Sequence, residues 1–242
     1  MTRVFVLSPA HCGGERARLV LADGARFDLA RRLRAASGAP LGEVFAFLSG
    51  LYFRGKLAYA RQFARPPARG AGVYVITPTE GLRPADEPVG VARLRGFAEV
   101  DIATGDPRYR EPLERDVRRL ARLVGAGGEV VLLGSIATGK YVDPLLAVLG
   151  ERLRFPVDFV GRGDMSRGGL LLRSARAGTE LVYARVRDVA RRGPRPPRLA
   201  TPLRTSTSMA GARAGRSGGR RDARRRAPDR ARSPQVPTPP HE

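Results

Sequence analysis

Residues 129–141 read Glu-Val-Val-Leu-Leu-Gly-Ser-Ile-Ala-Thr-Gly-Lys-Tyr, and this stretch decides the fold that we expect for the chain. Glu129–Leu133 is short and mostly apolar, which is typical of a strand buried on both faces of a sheet. The glycine-containing loop that follows leads into a predicted helix, Tyr141–Leu153, with Pro144 in its first turn, where proline is tolerated. A buried strand, a loop and a helix in this order indicate an α/β fold with a parallel sheet.

The same alternation of elements continues on both sides of that stretch. Further buried strands are predicted at Val4–Leu7, Val73–Ile76, Val157–Val160 and Leu170–Arg173, with an edge strand at Leu181–Tyr183, and Arg16–Leu21 is compatible with one more strand. Helices are predicted at Phe27–Ala35, Leu41–Leu48, Phe53–Phe63 and Glu111–Val124. We therefore expect one three-layer α/β domain over residues 1–190, in which helices flank a mostly parallel sheet.

The last part of the chain, residues 191–242, has a different composition. It is rich in arginine, proline, serine and glycine, and it contains no Phe, Tyr or Trp and no apolar periodicity. Such a segment buries too little apolar surface to offset the entropy lost on ordering, so we expect a disordered basic tail. The tail is either an arm that contacts nucleic acid or an extension without a function.

Charge divides about equally between the predicted domain and the tail. The chain carries 44 basic and 23 acidic residues, a formal net charge of +21, and residues 188–242 contribute 14 arginines and 4 acidic residues, a net charge of +10. Only two of the basic residues are lysines, Lys56 and Lys140. The excess positive charge suits two kinds of partner, a small phosphate-bearing molecule or the phosphate backbone of a nucleic acid.

The single cysteine, Cys12, excludes an internal disulfide and favours a reducing compartment. The apolar run Val4–Leu7 is too short for a secretory signal, and no apolar run approaches the roughly 18 residues needed to span a membrane. We therefore expect a cytoplasmic protein without a membrane partner. Histidine and cysteine are too few for a zinc site built from those ligands, so no metal is expected, and no residue pattern identifies a cofactor.

Four polar or glycine-rich loops each follow an apolar run that is predicted to be a strand. They are residues 8–14, 77–81, 134–140 and 161–169. The carboxyl ends of parallel strands meet at one edge of the sheet, and open α/β folds bind their ligands in the crevice at that edge. The loops are therefore expected to converge on one site, which brings Ser8 and Thr77 close to the residues of the two later loops.

The loop at residues 134–140 has the spacing G-x-x-x-x-G-K between a strand and a helix. Gly134 allows close approach of the backbone, Ser135, Thr138 and Lys140 add polar groups, and a helix start attracts anions. Tyr141 stands where a phosphate loop has the serine or threonine that binds magnesium, which argues against a nucleoside triphosphatase. A looser phosphate site and a plain strand-to-helix turn both remain open.

The loop at residues 161–169 carries two arginines that can grip a phosphate or carboxylate, Arg162 and Arg167. Ser166 is a further candidate ligand, and Asp164 is a candidate general base or partner for ribose hydroxyls. The alternative is a solvated hairpin whose charges contact nothing. Ser8 and Asp164 are our two candidate catalytic residues.

Two more regions contain candidates. In the first loop, His11 adjoins Cys12, which is either an activated nucleophile or a small buried side chain. In the predicted helix around residue 56, Tyr52 and Lys56 are candidate ligand-binding residues, because lysine is rare in this arginine-rich chain. The alternative is a core helix with a basic face.

The order of several residues resembles a known group of domains. Ser8 ends the first strand, Leu51 and Tyr52 precede Tyr59 and Ala60 on a helix, and a second strand leads into Thr77–Leu82. Over the first half of the chain, this order resembles bacterial α/β domains loosely related to peroxide-stress proteins. The chain departs from the group in the insertion between Arg16 and Leu48 and in the loop at residues 161–169. The resemblance implies an association with nucleic acids or nucleobases and assigns no catalytic residue.

Two functions are therefore expected as alternatives. The first is a ligand-binding or enzymatic domain that takes a phosphate-bearing, nucleotide-like or nucleobase-like molecule in the crevice at the strand ends. The second is a nucleic-acid-binding protein that uses the basic surface of the domain and the arginine-rich tail. They differ in their response to salt, because binding to a phosphate backbone weakens steeply as ionic strength rises.

Overall fold

The structure is a computed structural model and describes residues 1–197. The strands are β1 (Arg3–Leu7), β2 (Ala39–Pro40), β3 (Val73–Thr77), β4 (Gly81–Pro84), β5 (Pro88–Val89), β6 (Glu129–Leu133), β7 (Leu153–Pro156) and β8 (Tyr183–Arg185). The α-helices are α1 (Glu15–Leu21), α2 (Asp28–Arg34), α3 (Leu41–Ser49), α4 (Leu51–Phe63), α5 (Val91–Ala98), α6 (Pro107–Val124), α7 (Gly139–Leu149) and α8 (Asp164–Ala177). Short 3₁₀ helices lie at Gly150–Arg152, Val157–Phe159 and Val186–Asp188.

The main sheet has six strands in the order β4-β3-β1-β6-β7-β8. The four inner strands, β3, β1, β6 and β7, are parallel to one another, while β4 and β8 pair antiparallel at the two edges. Leu7 pairs with both Val75 and Leu133, so β1, β3 and β6 end nearly level at the carboxyl edge. The expected α/β class with a mostly parallel sheet is therefore confirmed. A separate two-stranded ribbon joins β2 and β5.

Helices surround the sheet because its central strands are apolar on both faces. Every residue of β6 is buried, and so is every residue of Val4–Leu7 in β1. Consecutive residues of a strand point to opposite faces, so both faces must be covered. The ring of Phe5 packs edge-on against Tyr59 of α4 at 5.8 Å, and α4 in turn packs closely against α8.

Two glycines allow α4 and α8 to approach each other closely. A Cβ atom on Gly55 would lie 2.6 Å from the carbonyl oxygen of Gly168, and one on Gly168 would lie 2.8 Å from the Cα atom of Tyr52. Neither contact leaves room for a side chain, since both neighbours are backbone atoms. This approach brings the first turn of α8, with Asp164 and Arg167, toward Lys56 on α4.

The run Arg16–Leu21 was expected to be compatible with a strand, and this is wrong, because it lies within α1. Ala17 and Val20 are the buried residues of α1, three positions apart, and Arg16, Arg18 and Leu19 are exposed. This run is only six residues long, with arginine at its first and third positions, so it fits a period of two and a helical spacing equally well.

The second half of the sheet also differs from the expectation. The predicted strand Val157–Val160 is a 3₁₀ turn, and Leu170–Arg173 lies inside α8, where Leu171 is buried and its two leucine neighbours are partly exposed. The predicted helix Tyr141–Leu153 ends at Leu149, because Gly150 takes a left-handed conformation with φ of +53°. Leu153 instead begins β7, and the expected edge strand lies slightly later, as β8.

The predicted tail is described only at its beginning. Residues 191–197 form neither helix nor strand, and residues 198–242 lie outside the described part of the chain. Within the described part, no helix has both the length and the apolar character needed to cross a membrane.

Candidate functional site

A cleft of about 610 Å³ opens at the carboxyl edge of the parallel strands. All four predicted loops contribute to its lining, through Pro9 to Gly13 after β1, Pro78 after β3, Lys140 at the start of α7 and Asp164 at the start of α8. The segment between α5 and α6 closes the remaining side with Val100, Asp101 and Ile102. The volume lies in the range of small-molecule sites, roughly 300–1,000 Å³.

Next to this cleft, Ser8 and Lys56 form a buried polar pair. Lys56 Nζ lies 2.6 Å from the Ser8 carbonyl oxygen, to which it donates, and 2.9 Å from Ser8 Oγ. Ser8 is 6% exposed and Lys56 is 1% exposed. Burial lowers the pKa of Lys56 to about 7, and Asp164 and Arg167 act on it with opposite signs. With this pKa, the protonated and the neutral amine are both populated near neutral pH.

The sequence points to the pair only in part. Lys56 lies among the buried residues of α4, which include Tyr52, Phe53, Leu57 and Tyr59, while Arg54 and Arg61 are exposed. The expected basic face of the helix thus belongs to the arginines, and the lysine belongs to the core. Its apolar neighbours on both sides in the sequence were the available signal.

Tyr52 contributes a second buried polar group beside the pair. Within the described residues 1–197, its hydroxyl has no hydrogen-bond partner. Burial raises the pKa of Tyr52, against the opposing charge of Arg167. The Lys56 ammonium lies over the rings of Tyr52 and Phe53, at 4.5 Å and 4.6 Å from their centres. Cation–π contacts of this kind partly replace the water that burial removes from the amine.

Arg167 and Asp164 lie in the first turns of α8. The Arg167 guanidinium donates to the Phe159 carbonyl oxygen at 3.0 Å and 3.2 Å and lies 3.6 Å from the Asp164 carboxylate. The Arg167 side chain is 11% exposed, whereas that of Asp164 is 69% exposed. The structure therefore brings Asp164 to the cleft as an accessible carboxylate and ties Arg167 to the backbone behind it.

The loop from β6 to α7 begins against Ser8. A Cβ atom on Gly134 would lie 2.8 Å from the Ser8 Cβ atom, so this position has room for hydrogen only. Ser135 Oγ accepts a hydrogen bond from Ala137 N at 3.2 Å and so helps to form the turn. Thr138 is the N-cap residue of α7 but makes no side-chain capping bond. Lys140 follows, exposed at the cleft, and its carbonyl oxygen accepts from Tyr109 at 2.7 Å.

Thr77 is committed to a turn. It is fully buried, donates to the Gly81 carbonyl oxygen at 3.0 Å and accepts from Glu80 N at 3.1 Å. These bonds hold the tight connection between β3 and β4. Pro78, the next residue, is the one that lines the cleft.

Arg162 and Ser166 line a second cleft of about 500 Å³ on the other side of Asp164, together with Arg173 and Pro196. Arg162 donates to the Asp158 carbonyl oxygen at 2.9 Å and to Ser166 Oγ at 3.4 Å. Residues 161–169 were expected to form one loop, but α8 begins at Asp164. Asp164 lines both clefts, whereas Arg162 and Ser166 line only the second, so the expected cluster is divided between the two.

Cys12 is buried, and burial raises the pKa of its thiol to about 12. A thiol with so high a pKa is not an activated nucleophile. The interpretation of Cys12 as a small core side chain thus agrees with the structure, while the neighbouring His11 is exposed at the cleft. Sequence reasoning missed the cleft residues Ser49, Phe97, Ala98 and Val100 to Ile102, most of which belong to or follow an unpredicted helix, α5.

The arrangement as a whole offers an accessible carboxylate, an exposed lysine at an uncapped helix start, and a buried serine–lysine pair. Among residues 1–197, no group of three or more His, Cys, Asp or Glu side chains is placed to hold a metal ion. Comparison with known proteins gives no match, whether to a family model, to a curated protein or to a solved structure.

Proposed function

We propose that the chain binds a small phosphate-bearing molecule, of nucleotide-like size, in the cleft at the carboxyl edge of the sheet. One observation carries the proposal: loops after β1, β3 and β6 and the start of α8 all line the same cleft of about 610 Å³. Ligands of open α/β folds bind at this position.

The start of α7 favours an anionic group on the ligand. Unpaired N–H groups at a helix start attract negative charge, and α7 has no side-chain cap at Thr138. Lys140 adds a full positive charge at the rim, and Tyr141 adds an aromatic surface beside it. Asp101 and Asp164 line the cleft as well, and carboxylates suit the hydroxyl groups of a sugar. A phosphate joined to a sugar fits this mixture better than a bare anion.

The test is equilibrium binding of adenosine monophosphate, inorganic phosphate and adenosine to the full-length chain. We expect the monophosphate to bind more tightly than adenosine, and Lys140→Ala to weaken its binding about tenfold, which corresponds to about 1.4 kcal/mol. Arg176→Ala removes an exposed charge at the far end of α8 and serves as the matched control. Equal affinity for adenosine and its monophosphate, or no binding of either phosphate compound, would refute the proposal.

A second candidate function, nucleic-acid binding, is favoured by the outer surface of α6. This helix exposes Arg108, Arg110, Arg115, Arg118, Arg119 and Arg122. Glu114 and Asp116 pair with several of them, which lowers the positive charge available to a phosphate backbone. Binding to a DNA duplex that weakens steeply between low and moderate salt would support this alternative.

A further inference from the structure

The buried pair beside the cleft has the composition of a nucleophile and its base. We infer that Ser8 and Lys56 form a catalytic pair, in which Ser8 Oγ attacks an acyl or phosphoryl centre bound in the cleft and the neutral amine of Lys56 accepts the serine proton. The inference rests on the proposed function only in using the same cleft. It assigns to the site a reaction class, covalent transfer through a serine.

The amine is placed to accept a proton as well as to donate one. A carbonyl oxygen only accepts, so the 2.6 Å contact with the Ser8 carbonyl oxygen uses one N–H of Lys56 in either protonation state. The 2.9 Å contact with Ser8 Oγ then has two forms. The ammonium donates to the hydroxyl, while the neutral amine accepts the hydroxyl proton through its lone pair.

The surroundings of Lys56 favour the neutral amine. Within residues 1–197, no carboxylate lies within 4 Å of its nitrogen, and the nearest acidic group that acts on it is Asp164 on α8. Burial is the largest influence toward the neutral amine, and Arg167 on the same helix adds to it, whereas Asp164 and the rings of Tyr52 and Phe53 favour the ammonium. A purely structural lysine is normally paired or exposed, because an unpaired buried charge is costly.

Ser8 lies beside the cleft. It is buried directly after β1 and does not itself line the cleft, but the next residue, Pro9, does. Gly134 faces its side chain without adding one of its own. The uncapped start of α7 enters the same cleft, and a helix start stabilises the negative charge that develops on the attacked group.

The chemical step balances with water as the second reactant. The Oγ–H bond of Ser8 breaks, its proton moves to Lys56 Nζ, and Oγ forms a bond to the carbonyl carbon or phosphorus. The leaving group departs with its electron pair and takes the proton from the Lys56 ammonium. Water then attacks the acyl-serine or phosphoryl-serine and gives a proton to Lys56. The bond from Ser8 Oγ to carbon or phosphorus breaks, and Oγ takes that proton back from Lys56 as the acid product leaves.

An organophosphorus fluoride, diisopropyl fluorophosphate, tests the inference without knowledge of the natural ligand. Attack by Ser8 forms an Oγ–phosphorus bond, expels fluoride and passes the proton to Lys56. We expect one adduct on the full-length chain, located at Ser8 by peptide mass mapping, with a rate that rises as pH increases through about 7. Lys56→Met is expected to reduce the rate at least a hundredfold.

Matched controls come from the chain itself. Arg176→Ala removes an exposed charge at the far end of α8, and Ser37→Ala removes an exposed serine between α2 and β2, so both variants are expected to react at the wild-type rate. Thermal unfolding checks that each variant is folded, and Lys56→Arg, which retains a permanent charge and cannot act as a base, is a second test of the amine. The absence of an adduct at Ser8, or a rate unchanged in folded Lys56→Met, would overturn the inference. Binding of adenosine monophosphate without such labelling would leave the proposed function intact.

Discussion

The side-chain nitrogen of Lys56 lies 2.6 Å from the carbonyl oxygen of Ser8 and 2.9 Å from its hydroxyl oxygen. These contacts join the middle of α4 to the carboxyl end of the central strand β1. Burial of this lysine links the stability of the protein to the protonation of the amine. The amine loses its water on folding, and this loss costs more free energy when the amine is charged than when it is neutral.

The stability of the protein is expected to rise with pH through this lysine. Its pKa falls from 10.5 to about 7 on folding, so between these values the unfolded chain binds a proton that the folded chain does not. Stability increases with pH wherever the unfolded state binds more protons, so the penalty is complete below about pH 7 and disappears toward 10.5.

Urea unfolding at pH 6 and pH 9 measures this effect. Lys56→Met has no amine to protonate at this position. We expect the free energy of unfolding of the wild-type protein, measured relative to that of Lys56→Met, to be lower at pH 6 than at pH 9. Lys140→Met shows how far the loss of any lysine changes the result. A wild-type-to-variant difference in the free energy of unfolding that is the same at both pH values would contradict the burial of a charged amine.

Two adjacent glycines of α8 are expected to respond oppositely to substitution by alanine. Gly168→Ala places a Cβ 2.8 Å from the Tyr52 Cα atom, so α8 must move away from α4, at a cost of about 1–3 kcal/mol in the free energy of unfolding. Gly169→Ala meets nothing closer than a side-chain nitrogen of Arg173 at 3.9 Å and is expected to stabilise the helix by about 0.5–1 kcal/mol. Thermal or urea unfolding of the two variants gives the comparison, and equal effects would show that the helices do not approach this closely.

The Gly134–Lys140 loop is expected to bind a phosphate group without hydrolysing nucleoside triphosphates. Tyr141 occupies the position from which a phosphate loop supplies a compact hydroxyl to magnesium, so metal-assisted transfer lacks that ligand. Release of phosphate from ATP with magnesium is expected to stay at the level of a blank without protein. Magnesium-dependent hydrolysis that Lys140→Ala abolishes would show that this expectation is wrong.

The sequence predicts the centre of the fold well because its strands are buried on both faces. The continuous apolar runs of β1, β3 and β6 are typical of a parallel sheet. The loops that follow these strands were therefore expected at the carboxyl edge of the sheet. The second half was harder, because Leu170 to Leu172 give the same apolar signal in a helix as in a strand. The neighbouring pair Gly168 and Gly169 suggested a loop, whereas Gly168 serves the contact between α8 and α4.

Individual site residues could be predicted from the sequence more readily than the contacts between them. Ser8 and Lys140 follow strands that the sequence predicts, whereas Asp164 was expected within a loop and instead begins α8. That Lys56 contacts Ser8 across 48 positions depends on how α4 crosses β1, which no local pattern encodes. Thr77 was expected to bind the ligand because it follows a strand. Its hydroxyl instead donates to the Gly81 carbonyl oxygen within the turn, and the next residue, Pro78, lines the cleft.

The amide spectrum of the ¹⁵N-labelled full-length chain, titrated with adenosine monophosphate, tests the proposed ligand site most directly. We expect the amide signals of Gly13, Lys140, Tyr141 and Asp164 to shift together with one dissociation constant, while those of Arg118 and Arg122 on α6 stay unchanged. Shifts confined to α6, or no shifts among the residues that line the cleft, would contradict the proposal that the carboxyl edge of the sheet binds a phosphate-bearing molecule.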